Sequence, residues 1–438
     1  MRRTLIGVAT ALVLGGAAMN AAAQVAPDQA RATAVRVLDH LDRGEFAQVE
    51  AMFDATMKQA VPAATLEQVW KSLPAAGTRG EPKLQASGDT QVVRIPLARG
   101  EGKFDATIAV DAEGRVSGLL IRPAEASIAP PPAVPADADY TESETHVGTG
   151  EHALGATLSM PKGPGPFPAV VLVHGSGAHD RDGTIGPNRP FLDIARGLAA
   201  QGIAVLRYEK RSKARPQDYG ADTLDIDTET TDDAVAALAT LRAAPGIDPR
   251  RVFVLGHSQG GMMAPRIAIK DGHVAGLVLL AAPARNLLDI LVEQNERLLK
   301  MQGADTSEAG IAHMAKLKAQ IAAVRGTGDV ATTGTPLNQP AHYWRSVDVV
   351  DPVAEARKAD EPMLVLQGAR DIQVVDADWQ AWQAAFGGDK RVTFKHYPTL
   401  NHLAMESAEG AGLDSYAKPG HVDAALIGDI AQWIKARR

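Results

Sequence analysis

The stretch Gly256-His257-Ser258-Gln259-Gly260-Gly261 decides the fold that this chain is expected to adopt. It directly follows the apolar run Val252-Phe253-Val254-Leu255 and precedes a helical pattern over residues 262–268. In such a strand, turn and helix context, a G-x-S-x-G sequence holds a serine in a strained turn with its hydroxyl exposed. Glycines suit the turn because strand and helix approach each other too closely for larger side chains. We predict that Ser258 is a nucleophile; an ordinary glycine-rich turn is the alternative.

A serine hydroxyl is a weak nucleophile unless a base takes its proton and an acid orients that base. In this arrangement the acid and then a histidine follow the serine along the chain. Residues 362–368 have the pattern of a buried strand, and Asp371 lies just past its end, where active-site residues of open parallel sheets collect. We predict Asp371 as the acid. Asp376 in the same loop is its rival, and a helix-capping role is the structural alternative.

The base is expected on a loop beyond the last strand, from which its ring can reach the serine from the side. Residues 392–397 have a strand pattern, and the following loop, 398–403, contains His402. We predict His402 as the base. His396 lies inside the strand pattern and is predicted to be a packed or exposed strand histidine.

Chemistry at a carbonyl also needs donors for the negative oxygen that develops in the transition state. Residues 169–173 have the pattern of a buried strand that ends in His174-Gly175-Ser176-Gly177. This sequence resembles the H-G-rich loop that supplies a backbone N–H to the oxyanion hole of lipases and esterases. We assign one donor to the N–H of Gln259 and the other to that of Gly175 or Ser176.

Several stretches together carry a family resemblance. Besides the predicted triad they are His174-Gly175-Ser176-Gly177 with Asp180-Arg181-Asp182, Ile185-Gly186-Pro187-Asn188 with Pro190-Phe191, and Val205-Leu206-Arg207-Tyr208-Glu209-Lys210-Arg211. Residues 140–438 resemble the α/β-hydrolases, specifically the bacterial carboxylesterase and serine-aminopeptidase-like branch, in which esterases carry an H-G-S-G-x-x-D-R-D loop. The front of the chain resembles a small domain of unknown function found ahead of such hydrolases. The resemblance implies a mostly parallel central sheet with helices on both faces and a helical lid insertion, preceded by a small α+β domain.

Charged residues of these stretches have two interpretations. The run Asp180-Arg181-Asp182 lies close to the predicted oxyanion loop and could contact substrate, but ion pairs that fix a loop are a commoner use of such clusters. We favour the structural role. Arg207, Lys210 and Arg211 follow a strand end on the same side and could attract an acidic substrate; a solvated or paired loop is the safer interpretation.

Composition sets outer limits on function. The 438 residues are 45% hydrophobic, enough for one large core and a smaller domain. The net charge of −7 gives no reason to expect nucleic acid or an anionic membrane as a partner. Without cysteine, the chain has no disulfides, thiolate metal sites or cysteine nucleophile, which excludes the dienelactone-hydrolase version of this fold. We expect no metal, no cofactor and no stable membrane anchor; composition does not address protein partners.

The N-terminus has the pattern of a cleavable secretory signal. Met1-Arg2-Arg3 precedes an apolar run over residues 5–19 and then Ala21-Ala22-Ala23, which predicts a signal peptide over 1–23 and a mature start at Gln24. The apolar run is shorter than the ~20 residues that span a membrane. No cysteine is present to carry a lipoprotein anchor. The product is predicted to be exported: periplasmic if the source is Gram-negative, or secreted.

The rest of the chain divides by pattern. Residues 24–122 change from helical spacing to three strand patterns, which predicts a small α+β domain with an antiparallel sheet. Residues 123–139, with Pro130-Pro131-Pro132 and Pro135, predict a stiff extended linker. Over residues 140–438, strand and helix patterns alternate as in a mostly parallel sheet covered on both faces.

One insertion interrupts that alternation. Residues 283–351 contain two apolar helical stripes and predict a lid that shapes the pocket, although both stripes could simply pack onto the core. Tyr343 and Trp344 are candidate pocket residues.

These features predict two-step acyl transfer. Ser258 attacks a carbonyl with His402 as base and Asp371 orienting it, and water then attacks the acyl-enzyme. A small-molecule carboxylic ester of short to medium acyl chain is the expected substrate. An aminopeptidase or amidase of the same fold is the alternative, and it would need an acidic pocket, which Glu293 or Glu296 could supply. From a different class, a non-catalytic binding or sensory protein could keep a hydrolase shell.

Overall fold

The structure, a computed structural model, describes residues 25–87, 90–100, 102–123, 130–220 and 222–437. The chain divides into two compact units between Pro130 and Pro131. The predicted signal peptide, residues 1–23, lies outside the described residues. Within the described part of the chain, no helix is long and apolar enough to cross a membrane.

The first unit combines four helices with an antiparallel sheet. The helices are α1 Pro27–Asp42, α2 Phe46–Ala51, α3 Ala55–Ala60 and α4 Ala63–Ser72. The strands are β1 Ala76–Arg79, β2 Lys83–Ser87, β3 Thr90–Arg99, β4 Gly102–Val110 and β5 Val116–Pro123. The strand order is β1-β3-β4-β5, and β2 also pairs with β3. Buried and partly exposed residues alternate along β3, as expected for a sheet with one face on the core. The predicted small α+β domain is therefore confirmed.

The second unit is built on one sheet of eight strands. The strands are β6 Tyr140–Val147, β7 Leu154–Pro161, β8 Phe167–Val173, β9 Ala204–Tyr208, β10 Ile247–His257, β11 Leu277–Leu280, β12 Met363–Gly368 and β13 Val392–Tyr397. Their order is β13-β12-β11-β10-β8-β9-β7-β6. Strand β7 is antiparallel to its neighbours β6 and β9. The other neighbouring pairs are parallel, namely β9 with β8, β8 with β10, β10 with β11, β11 with β12 and β12 with β13. The predicted mostly parallel sheet is confirmed.

Helices cover both faces of this sheet. They are α5 Pro190–Ala199, α6 Arg211–Ala214, α7 Asp232–Ala243, α8 Gln259–Asp271, α9 Leu287–Met301, α10 Glu308–Val324, α11 Val330–Thr333, α12 Ala341–Asp348, α13 Pro352–Ala356, α14 Asp376–Phe386 and α15 Ala424–Lys435. Because neighbouring residues of a strand point to opposite faces, Val254 and Leu255 of β10 enter different cores. Val254 shares its core with Leu238 of α7, and Leu255 shares the other with Ile194 of α5.

The predicted lid lies between β11 and β12 and contains α9 to α12. Its helices contribute to the core that contains Val254 and Leu238, through residues such as Leu288, Leu317 and Trp344. Ile311, which belongs to the second predicted apolar stripe, is 58% exposed, whereas Leu317 and Ile321 of the same helix are buried. The buried residues of this segment therefore join the core, while most of its other residues are partly or fully exposed.

The fold places the predicted site at one edge of the sheet. The loops that contain Gly175, Ser258, Asp371 and His402 follow β8, β10, β12 and β13, respectively. Because these strands are parallel, their carboxyl ends meet at the same edge. Residues far apart in sequence are thereby brought together.

Candidate active site

Ser258 occupies a strained turn between β10 and α8. Its φ of 55° and ψ of −124° lie where a residue other than glycine is seldom found. Two backbone hydrogen bonds hold the turn: the Ser258 N–H donates to Leu280 O at 2.9 Å, and Ser258 O accepts from the Met262 N–H at 3.0 Å. A Cβ atom on Gly256 would lie 2.1 Å from Gly260 O, and one on Gly260 would lie 2.3 Å from a backbone oxygen of β8. The close approach predicted from the glycines is present.

Asp371 and His402 form a buried hydrogen-bonded pair. His402 Nδ1 lies 2.7 Å from Asp371 Oδ2, and the exposed fractions of the two side chains are 5% and 0%. Asp371 Oδ1 accepts the backbone N–H groups of Gln373 and Val374 at 2.8 and 2.9 Å. Because an ionised carboxylate only accepts hydrogen bonds, it holds the proton of neutral His402 on Nδ1. Nε2 of His402 then keeps a free lone pair, as a general base requires.

Ser258 and His402 face the same cavity, which has a volume of about 90 Å³. The predicted oxyanion loop lines it as well, through Gly175 and Ser176. A Cβ atom on Gly175 would lie 3.1 Å from the Ser258 Cβ, so this glycine lets the loop backbone approach the nucleophile. Gln259 is the first residue of α8, and N–H groups of a first helical turn have no partner within the helix. The structure thus gathers all the predicted site residues around Ser258.

The rival acid and base pair with each other instead. His396 Nε2 lies 3.0 Å from Asp376 Oδ1 in an exposed contact. The His396 ring also lies against Trp379, with their centroids 5.0 Å apart. Neither residue is among the described ones that line the cavity at Ser258. The geometry therefore favours Asp371 and His402.

Charged residues beside the oxyanion loop are engaged in ion pairs. Arg181 Nε lies 2.7 Å from Glu209 Oε1, and the guanidinium of Arg207, which is only 2% exposed, pairs with Asp182. Asp180 accepts backbone N–H groups of its own loop. These contacts support the structural role favoured for the run at residues 180–182, and they leave the Arg207 guanidinium buried rather than facing an acidic substrate.

A buried polar network, for which the sequence pattern gives little signal, joins the two oxyanion segments. Lys210 is 3% exposed, and its Nζ lies 2.7 Å from Gly175 O and 2.6 Å from Glu229 Oε1. Glu229 Oε2 accepts from Gln259 Nε2 at 3.2 Å, and the same amide nitrogen lies 3.2 Å from Tyr343 Oη. For Lys210 the sequence allows attraction of an acidic substrate or a solvated or paired loop; the structure places it in a buried ion pair with Glu229. Its partner is 19 residues away in a π-helical turn, Asp227–Thr231, that no apolar periodicity reveals.

Further histidines around Ser258 are held neutral. Burial, and secondarily the neighbouring His402, lowers the pKa of His257 to about 3. Its Nε2 lies 2.7 Å from the carbonyl oxygen of His402, so the neutral ring donates this hydrogen bond. Burial likewise holds the pKa of His174 well below its usual value. His257 therefore supports the backbone of His402 without adding charge at neutral pH.

This shift predicts a pH dependence of stability. The pKa of His257 is about 3 in the fold against an ordinary 6.5, so the unfolded chain binds more protons between these values. Stability is therefore fully present above pH 6.5 and falls as the pH drops towards 3. At one pKa unit per ~1.4 kcal/mol, the loss at pH 5 is up to about 2 kcal/mol. Between pH 7 and pH 5, the free energy of unfolding measured with urea should fall less for His257→Gln than for the wild type. Equal falls in the two proteins would contradict a lowered pKa of His257 in the fold.

A larger cavity of about 460 Å³ adjoins the first at Ser176. Its walls are mainly apolar and aromatic, and they include Tyr219, Leu224, Tyr343 and Trp344. Tyr343 and Trp344 were candidate pocket residues, and the structure places both here. Glu229 also reaches this cavity, but its carboxylate is already engaged by Lys210 and Gln259.

The acidic lid residues lie elsewhere. Glu293 Oε1 is 2.7 Å from Arg285 Nη1, and Glu296 Oε1 is 2.7 Å from Lys318 Nζ. Neither glutamate is among the described residues that line the two cavities beside the oxyanion loop. Across the described residues, no group of three or more histidine, aspartate or glutamate side chains is arranged to hold a metal ion.

Several known proteins are similar to this chain. The sequence model of the Alpha/beta hydrolase family matches residues 170–412. Esterase EstD of Thermotoga maritima is 34% identical over 403 residues, which cover 91% of this chain and 93% of that protein. The solved esterase PF2001 of Pyrococcus furiosus aligns with a TM-score of 0.44 and 14% identity over 70% of this chain and 94% of its own. Est1E of Butyrivibrio proteoclasticus aligns with a TM-score of 0.43 and 15% identity over 67% and 98%. The family match and the nearly full-length similarity to EstD show that this chain belongs to the alpha/beta hydrolase family, in the branch that includes EstD.

Proposed function

We propose that this protein is a serine hydrolase that cleaves carboxylic esters of short to medium acyl chain through an acyl-enzyme intermediate. One observation carries the proposal: Ser258, in its strained turn, shares a cavity with His402, and His402 is held by Asp371 at 2.7 Å. The similarity to a protein named as an esterase supports an ester as the bond that is cleaved.

The geometry supports the following first half-reaction. Nε2 of His402 takes the Ser258 proton as Oγ attacks the carbonyl carbon, and the carbonyl electron pair moves onto oxygen. The N–H of Gln259 and that of Gly175 or Ser176 stabilise this oxyanion. The tetrahedral intermediate then expels the alcohol, which receives the proton from His402. Asp371 stabilises the transient imidazolium through its hydrogen bond to Nδ1.

The second half-reaction repeats these roles with water. His402 takes a proton from a water molecule, whose oxygen attacks the acyl carbon to form a second tetrahedral intermediate. The bond between this intermediate and Ser258 Oγ then breaks, His402 returns the proton to Oγ, and the carboxylic acid is released. Every step uses groups of this chain and water.

Pocket chemistry favours an ester over a peptide with a free amino terminus. A buried ammonium needs an unengaged carboxylate, yet Glu229 is paired with Lys210, and Glu293 and Glu296 line neither cavity. Burying an unpaired charge costs about 3 kcal/mol or more, roughly a 100-fold loss of binding. The cavity at Ser258, about 90 Å³, accommodates small groups, and the apolar cavity beside Ser176 accommodates neutral ones.

Rates on two substrate series test this preference. We expect p-nitrophenyl esters, from acetate to palmitate, to be hydrolysed fastest at short to medium chain length. Aminoacyl p-nitroanilides should react with a kcat/KM lower by on the order of 100-fold or more, because their ammonium finds no unengaged carboxylate among the described residues that line the two cavities. Comparable values for the two series would favour the aminopeptidase alternative, and no hydrolysis of either would favour a non-catalytic shell.

A further inference from the structure

Lys210 is a buried cation in the second unit that belongs neither to the triad nor to the oxyanion donors. Its Nζ contacts the carbonyl oxygen of Gly175 and the carboxylate of Glu229. Lys210 is not among the described residues that line either cavity, whereas Gly175 lines the one at Ser258. The Gly175 carbonyl is therefore drawn towards a side chain outside the cavity.

This contact sets the orientation of the next peptide N–H. In a trans peptide, the C=O of one residue and the N–H of the following residue point in opposite directions. With the Gly175 carbonyl turned towards Lys210, the Ser176 N–H turns the other way, towards the cavity that Ser176 and Ser258 line together. Of the two donors left open for this loop, the geometry therefore favours Ser176.

The other end of the network reaches the second donor. Glu229 Oε2 accepts from the side-chain amide of Gln259, the residue whose backbone N–H starts α8 beside Ser258. The segment after β8 and the segment after β10 are thus tied to one ion pair. Glu229 lies in a π-helical turn, an element frequently found at functional sites.

Stability alone gives little reason for this pair. Removing two charges from water is costly, and apolar residues of similar volume often replace a buried ion pair without loss of stability. We propose that Lys210, held by Glu229, is a positioning residue for ester hydrolysis: it aims the Ser176 N–H at the oxyanion and couples that donor to Gln259. The inference rests on the proposed function.

Lys210→Met tests the proposal, because methionine keeps most of the side-chain length and donates no hydrogen bond. Loss of one oxyanion donor lowers kcat by ~10²–10³-fold, and we expect a fall of that order on p-nitrophenyl acetate with KM nearly unchanged. Inhibition by a boronic acid, which mimics the tetrahedral intermediate, should weaken in parallel. Incomplete folding would also lower the apparent kcat at unchanged KM, but the folded fraction would then bind the boronic acid with wild-type affinity, so weaker inhibition identifies a positioning role.

Two further variants separate positioning from folding. Arg242→Met removes the cation paired with buried Asp271 between α7 and α8, and is expected to lower stability while leaving kcat within about threefold. The double variant Lys210→Met with Glu229→Gln replaces the carboxylate that would otherwise be buried without its cation, and it keeps an oxygen that accepts from Gln259. We therefore expect it to be stable but to retain the lowered kcat.

The outcomes distinguish the two proposals. A folded double variant with wild-type kcat and wild-type boronic acid affinity would overturn the positioning role and leave the esterase proposal standing. A folded wild-type protein inactive on every ester would overturn both.

Discussion

Ser258→Ala is expected to abolish ester hydrolysis while leaving the fold intact. Removing the nucleophile of a serine hydrolase typically lowers kcat by ~10⁶-fold, and other groups of the site sustain only a small residual rate. The effect should fall on kcat rather than on KM, because the alanine backbone can occupy the same turn between β10 and α8 and the cavity walls remain.

The control for this variant is Ser143→Ala, at an exposed position of β6. It should retain wild-type kcat and KM on p-nitrophenyl acetate. Measurable turnover by Ser258→Ala at more than about a thousandth of the wild-type rate would mean that another group is the nucleophile.

Asp371→Asn is expected to lower kcat by ~10⁴-fold with little change in stability. The structure gives the reason. Asp371 Oδ1 accepts two backbone N–H groups, those of Gln373 and Val374, so the asparagine oxygen must stay on that side. The amide NH₂ then faces His402 and donates to Nδ1, which forces the ring proton onto Nε2. In that tautomer His402 cannot accept the serine proton.

Asp376→Asn is the matched control for this prediction. Asp376 lies five residues after Asp371, at the first residue of α14, and contacts His396 in an exposed pair. The Asp376→Asn variant should keep kcat within about threefold of the wild type, because an exposed ion pair contributes little to stability. A large loss in Asp376→Asn and none in Asp371→Asn would reverse the assignment of the acid.

Local sequence patterns carry much of the fold of the hydrolase unit. Strands β8 and β12 and residues 252–256 of β10 are buried on both faces and therefore appear as continuous apolar runs. The site residues follow the ends of such strands, so Ser258 and Asp371 could be placed from neighbouring residues alone. In the first unit, β3 to β5 were recognisable because they alternate or run apolar.

Elements without a local apolar signal were missed. Strand β1, Ala76–Arg79, contains a glycine and polar residues, and β6, Tyr140–Val147, is mostly polar along its length. Both gain their conformation from pairing with a neighbouring strand rather than from burial of their own side chains. Such pairings depend on contacts that are distant in sequence.

The same limit applies to the network around Lys210. Lysine after a strand end and glutamate in a polar stretch are ordinary surface residues by pattern, and only the fold shows that they meet beneath the oxyanion loop. The acidic pocket considered for Glu293 or Glu296 shows the opposite error, in which a role expected from residue type is not supported by the position of the side chain. A suitable residue type in the lid does not establish that its side chain faces the nucleophile.

The most direct test of the central claim is covalent labelling of the folded wild-type protein with a fluorophosphonate. The phosphonylated residue would be located by peptide mass mapping. A serine nucleophile activated by His402 predicts one added phosphonyl group, and it should lie on Ser258. No labelling of the folded protein, or labelling at a different residue, would contradict the claim that Ser258 is an activated nucleophile.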